Sequence, residues 1–306
     1  MPTGGRGTLD PIASGGRDGG NEAAPSTAVA RRDEDLRRHL PGVEPDRRLT
    51  DWGRSERVEA LLDRTLADFL YRYWFRCEVE GIDNVPAAGG ALLVANHAGA
   101  LPPDAAMIAK AIREEHRHPR PLNITVEHFL KGYPGFSMLL PKIGCVAAHP
   151  ANVHRLLHDE EALVLAFPEG QKGTRKLYKD RYQLRRFGRG GFVASAARAG
   201  APIVPVCVVG AEEAAPIFAH IKLLERLTGL LYVPLTPTFP HFGLLGATYL
   251  PAKFRIRFLP PVRTDRLGAR ALEDRGLLQD VADEIRGRIQ DELIDLVAHR
   301  RSVWLG

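Results

Sequence analysis

ALLVANHAGALPPDAAMIAKAI, residues 91–112, reads as a strand, a bend and a helix. The first six residues, ALLVAN, are of strand length and apolar up to Asn96, and the stretch from Ala105 onward repeats small and apolar residues at helical spacing. Pro102 and Pro103 force the bend, and Asn96, His97 and Asp104 are the polar side chains around it. A strand that passes through a loop straight into a helix is the unit from which parallel sheets are assembled, because parallel neighbours need a crossover between them. A histidine and an aspartate joined by such a bend are also the smallest set that can take a proton from a hydroxyl. The plainer alternative for the same residues is loop packing, with Asp104 capping the helix that follows.

Outward from this unit the alternation continues. Apolar runs of strand length recur at 77–81 (CEVEG), 122–127 (LNITVE), 162–167 (ALVLAF), 202–209 (PIVPVCVV) and 253–258 (KFRIRF). Helical patterns are expected after Asp104, near Val153 to Leu157, after Gly190, near Ile217 to Leu227, and from about Leu272 to Arg300. This predicts an α/β domain with a largely parallel sheet flanked by helices. Residues 1–51 are rich in Gly, Pro, Asp and Arg and read as a disordered tail, with a short helix over VARRDEDLRRHL. Residues 52–306 read as one domain, opened by an amphipathic helix from about Glu56 to Phe75. Val58, Leu61, Leu62, Leu66, Phe69, Leu70 and Tyr73 lie on its apolar face, directed at the core or at a membrane surface.

The chain has 306 residues, 44% of them hydrophobic, which suits a globular core. Cys77, Cys145 and Cys207 are odd in number and far apart, in no disulfide or zinc pattern. No apolar run has the length of a signal-peptide core or a membrane span, so the expected location is the cytoplasm, peripheral on the inner membrane face. A net charge of +5 favours anionic partners. Eight basic residues stand between Lys172 and Arg189 against the single acid Asp180. Recognition helices and aromatic platforms are absent from the sequence, so nucleic acid is not an expected partner.

In open α/β sheets, sites form at the carboxyl ends of strands. ALLVAN is followed at once by His97, and ALVLAF by Pro168, Glu169 and Gly170. FPEGQKGTRK then adds backbone amides around Gly170 and Gly173 and cations at Lys172, Arg175 and Lys176, a surface suited to a phosphorylated or otherwise polar substrate. No GxSxG nucleophile elbow occurs, FGRGGF lacks the dinucleotide-binding spacing, and GQKGTRK is not a P-loop. Gly188, Gly190 and Gly191 read as a turn into FVASAARAG.

NH followed by an aspartate, then FPEG, then IVPV, in this order, resembles the glycerolipid acyltransferase family that contains the lysophosphatidic acid acyltransferases. The resemblance spans about Val79 to Val262. It implies His97 as the general base that takes the proton from a lipid hydroxyl during attack on a thioester, and Asp104 as the group that orients it. It implies substrate binding by Asn96, Glu169, Gly170, Lys172 and Arg175, and it matches Pro205 to the proline of the last block. The acyl donor would be acyl-CoA or acyl carrier protein, with no metal and no other cofactor. The acceptor would be a lysophospholipid or another glycerolipid at an anionic membrane surface.

Three features depart from the commonest pattern. Six residues, AGALPP, separate His97 from Asp104 where four are usual, as in a branch of the family that includes acyltransferases of neutral glycerolipids. Lys172 stands where a phosphate-binding arginine is expected, and GCVAAH puts His149 in another arginine's place. All three weigh against lysophosphatidate as acceptor. The rival reading is a lipid-binding or scaffold protein that keeps the fold without turnover. A last feature is Gly229 to Ala252, which holds no charged residue but four prolines, Pro234, Pro237, Pro240 and Pro251. It reads as core cover, acyl-pocket wall or membrane-dipping loop.

Overall fold

The computed structural model describes residues 50–98, 103–127, 136–228, 233–243, 248–264, 267 and 272–306. The expected tail lies outside the described residues apart from Thr50 and Asp51, as does its short helix. Within Gly229 to Ala252, residues 229–232 and 244–247 also lie outside them.

Seven strands form one sheet: β1 (Glu78–Glu80), β2 (Ala91–Ala95), β3 (Leu122–Val126), β4 (Cys145–Ala147), β5 (Leu163–Ala166), β6 (Ile203–Val209) and β9 (Arg255–Phe258). Their order is β1-β9-β6-β2-β5-β3-β4. The five strands from β6 to β4 are mutually parallel, and β9 pairs antiparallel to β6. The expected largely parallel sheet is therefore present. Two short strands, β7 (Ala219–His220) and β8 (Pro234–Leu235), pair separately.

β2 is central, and all five of its residues are buried because helices cover both faces. Leu93 and Ala95 face a core completed by Met107, Ile108 and Ile112 of α2 (Asp104–Glu115) and by Tyr71 and Phe75. Leu92 and Val94 face the opposite core, filled by α6 (Gly191–Ala199) and α9 (Arg275–Ala298). α9 buries Leu278, Ala282, Ile285, Ile289, Leu293 and Leu296, a single stripe at three- and four-residue steps. Gly190 turns the chain into α6 at φ 75°, and a Cβ there would lie 2.6 Å from the Leu278 carbonyl oxygen.

The opening helix departs from its expected pattern. α1 (Glu56–Leu62) is regular, but the chain continues in π-helical turns, Asp63–Ala67 and Phe69–Trp74. Their wider i→i+5 bonding breaks the 3.6-residue register and splits the apolar face. Tyr71 and Phe75 go into the core with Leu70 and Trp74 against it, whereas Leu61, Leu66, Phe69 and Tyr73 are exposed. The inner side of this helix is held to α2 by Lys110, itself buried, with Asp63 (3.2 Å), Asp68 (3.2 Å) and Glu114 (2.7 Å) around its ammonium.

α3 (Phe136–Lys142) and α4 (Pro150–His154, continuing to Asp159 in a π turn) flank β4, and α8 (Lys222–Thr228) starts later than the expected helix because β7 comes first. Among the described residues no helix is long and apolar enough to cross a membrane.

Candidate active site

Three neighbouring strands end at one side of the sheet. Val94 of β2 pairs with Ala166 of β5 and with Pro205 of β6, so the residues after these strands converge. Pro205 falls where the pairing with β9 gives out, and its carbonyl still accepts the Leu259 N–H (2.8 Å).

Asn96 finishes β2. Its Nδ2 donates to the Val208 carbonyl (2.9 Å) and its Oδ1 accepts the Val208 N–H (2.8 Å), which extends the pairing with β6 by one residue. Asn96 is buried, and its amide serves the main chain of the neighbouring strand.

His97 follows at once, its side chain half-buried and its ring stacked on Phe167 at 4.0 Å and 20°. Nδ1–H donates to Asp104 Oδ2 (2.9 Å). A carboxylate only accepts, so this bond places the proton on Nδ1 and leaves the lone pair of the neutral ring on Nε2. Asp104 is fully buried and is the first residue of α2. Its Oδ2 also accepts the Ala98 N–H (3.2 Å), and its Oδ1 accepts the Ala105 N–H (2.7 Å). Asp104 thus makes a hydrogen bond to the His97 ring and satisfies the helix start as well.

After β5, Gly170 adopts φ 54°, ψ −144°, a conformation open to glycine, and so turns FPEG back on itself. Its neighbour Glu169 points inward. Glu169 Oε1 accepts the His97 N–H (3.1 Å) and Oε2 accepts the Arg185 N–H (2.8 Å). The carboxylate has no exposed surface and ties the His97 loop to its own. Gly173, in the single turn α5 (Gln171–Thr174), lets the two loops close, because a Cβ there would lie 2.9–3.1 Å from Glu169 Cβ, His97 O and His97 Cβ.

The basic run divides by depth. Lys172 and Arg175 are exposed beside this turn, as a substrate-facing role requires. Lys176 is buried, 3.3 Å from Glu169 and 2.9 Å from Glu212, contrary to its place among the surface cations. His149 is exposed and caps α4, its ring Nδ1 accepting the Ala151 N–H (3.2 Å).

Sequence reasoning missed Tyr249, Glu212, Glu213, Tyr182 and Arg300. Tyr249 packs on Phe75, and its phenol is pushed up to about 12, first by burial and then by the nearby Asp104 charge. That end of the uncharged segment is core cover beside the site, along with the buried Ala252, while Phe242 is exposed. The two adjacent carboxylates directly after a buried strand, VVGAEE, were the available signal for the others.

The site is thus a His–Asp pair at the carboxyl end of the central strand of a three-layer α/β domain. Residues 76–209 match the family described as Acyltransferase. The chain is 40% identical over 271 residues to an uncharacterized protein of Mycobacterium tuberculosis, covering 89% of this chain and 75% of that one. It is 25% identical over 240 residues to the bovine "DGAT1/2-independent enzyme synthesizing storage lipids", covering 78% of this chain and 70% of that one. A solved structure, the 1-acyl-sn-glycerophosphate (LPA) acyltransferase of Thermotoga maritima, shares the fold with a TM-score of 0.52 at 16% identity, covering 90% of this chain and 91% of that one. The chain belongs to the Acyltransferase family and is an acyltransferase.

Proposed function

We propose that this enzyme moves a fatty acyl group from acyl-CoA, or from acyl carrier protein, to the hydroxyl of a neutral glycerolipid, with His97 as general base. The observation that carries this reading is the 2.9 Å bond from His97 Nδ1 to the buried Asp104, which leaves Nε2 as the basic atom at the strand end. Nε2 takes the hydroxyl proton as the oxygen attacks the thioester carbonyl, and the imidazolium returns that proton to the departing thiolate. Asp104 stabilises the imidazolium between these steps. Binding both substrates at once makes the transfer direct, so no acyl-enzyme and no metal are required. The name of the bovine relative supports a neutral acceptor, as do Lys172 and His149 at places where the family pattern has arginine.

The test is product mass spectrometry of the purified protein given acyl-CoA with diacylglycerol, monoacylglycerol and lysophosphatidate together. Thiol release that depends on acceptor, with ester formed on a neutral acceptor, is expected. Ester formed only on lysophosphatidate would refute the acceptor assignment.

With a neutral acceptor, the exposed cations serve the donor's phosphates. Lys172→Ala and Arg175→Ala should each raise the KM for acyl-CoA several-fold at low ionic strength, and less as salt screens the contact. An unchanged KM at low salt would make this loop a solvated face.

The anionic membrane surface is the partner we propose for the outer side of α1. Leu66 and Phe69 are 56% and 48% exposed, and Met138 and Leu139 are exposed on α3, which packs beside α1. Such exposed apolar side chains suit a lipid interface. Leu66→Asp with Phe69→Asp should fold with little change in melting temperature, because these side chains are already in water. Sedimentation with anionic vesicles should fall sharply, and undiminished binding would move the contact elsewhere.

A further inference from the structure

Behind the His97 loop lies a continuous line of buried charge. β6 ends at Val209, Gly210 (φ 106°) redirects the chain, and α7 (Ala211–Ala214) carries Glu212 and Glu213, both buried. The line starts at Glu169, which accepts the His97 N–H. Lys176 lies between Glu169 and Glu212, at 3.3 and 2.9 Å, as a charge contact rather than a set of well-directed hydrogen bonds. Glu212 Oε2 accepts the Tyr182 N–H (2.5 Å). The Tyr182 hydroxyl donates to Glu213 and accepts the Gly210 N–H (2.9 Å). Arg300, just after α9, donates from Nη2 to Glu213 Oε1 (2.8 Å).

Three carboxylates and two cations thus sit in the interior against the site, where each ion costs several kcal/mol of lost hydration before its partners offset it. Apolar side chains of the same volume would hold α7 against the Tyr182 loop at least as firmly. A buried ion set therefore makes a poor fastener, but it fixes charge and direction at its end, and its end is the peptide N–H of His97.

We propose that Lys176 and Glu212 are positioning residues of acyl transfer, which hold the Glu169 carboxylate in place and aimed at the His97 main chain so that the imidazole keeps its angle to the acceptor hydroxyl. The inference rests on the role given to His97 above. Burial raises the pKa of Glu212, opposed chiefly by Lys176, so the ammonium is the group that keeps negative charge tolerable here. Without it, Glu169 is a buried carboxylate held by two peptide donors, with no cation against it to fix its direction.

The experiment is the pH profile of kcat for the parent, Lys176→Met and Glu212→Gln, with acyl-CoA and the acceptor the parent uses. Lys176→Met should lower kcat at neutral pH on the order of tenfold, with both KM values within about twofold. Its acid limb should move up, since Glu212, whose pKa burial already raises, loses the ammonium that opposes the rise. Glu212→Gln should move that limb the opposite way, because Lys176 then serves Glu169 alone. A purely structural role would lower the melting temperature and the active fraction without moving the limb. Should Lys176→Met fail to fold, the Lys176→Met/Glu212→Gln pair, which removes one charge of each sign, replaces it, and Glu212→Gln decides alone if neither folds. An acid limb that stays in place overturns the proposal. A parent that transfers no acyl group overturns the reading of the site and the inference with it. A parent silenced by His97→Ala but indifferent at Lys176 and Glu212 overturns the inference alone.

Discussion

His97→Ala is expected to fold and to lose on the order of 100-fold or more in transfer rate, the share that a positioned base contributes. The ring is half-buried and stacks only on Phe167, so its removal takes little from either core. Asp104, left behind and buried, keeps the Ala98 and Ala105 peptide donors and so is not stranded without partners. A stability loss of about 1 kcal/mol would lower the melting temperature of a domain this large by roughly 2–4 °C. Single-turnover rates with saturating acyl-CoA isolate the chemical step from product release. A folded His97→Ala protein that turns over at near-parental rate would remove the base from the mechanism and leave acyl transfer to be explained by proximity alone.

The strands and the His97–Asp104 pair were legible because each depends on short-range pattern. An apolar run such as ALLVA has to be buried on both faces, and the residues that follow must lie at its end. β4 was not, since CVA lacks both alternation and a long apolar run, and the direction of β9 is set by a long connection that leaves no mark on KFRIRF. Depth was the larger loss. Lys172, Arg175 and Lys176 are equivalent as letters, but only Lys176 meets two inward carboxylates, one of them supplied from a strand end 36 residues further along the chain. Glu169 and Asn96 show the same limit: residue type marks them as able to bind a substrate, while the neighbouring strand and loop have already taken their hydrogen-bonding groups. The split face of α1 was hidden for a different reason, because a π turn changes the period by which an apolar stripe is recognised.

Gly173→Ala is expected to cost nearly as much activity as the loss of a catalytic group, although it adds one methyl and removes nothing. The methyl would meet Glu169 Cβ at 2.9 Å, His97 O at 3.0 Å and His97 Cβ at 3.1 Å, all closer than van der Waals contact. None of these atoms is the free end of a flexible chain, so relief requires the two loops to separate by several tenths of an ångström. That movement lengthens the 3.1 Å bond between the His97 N–H and Glu169 and swings the imidazole off its line to the acceptor. Displacements of this size cost up to about 100-fold in rate when they fall on the reacting group. Stability should change little, since alanine favours the helical turn by up to about 1 kcal/mol and offsets part of the crowding. Gly191→Ala is the matched control, also a glycine in a helix, with nothing within 4 Å of the added methyl. It should keep full activity. A normal kcat in Gly173→Ala, at unchanged melting temperature, would mean that the His97 loop tolerates movement and that catalysis here does not depend on the closeness of the two strand ends.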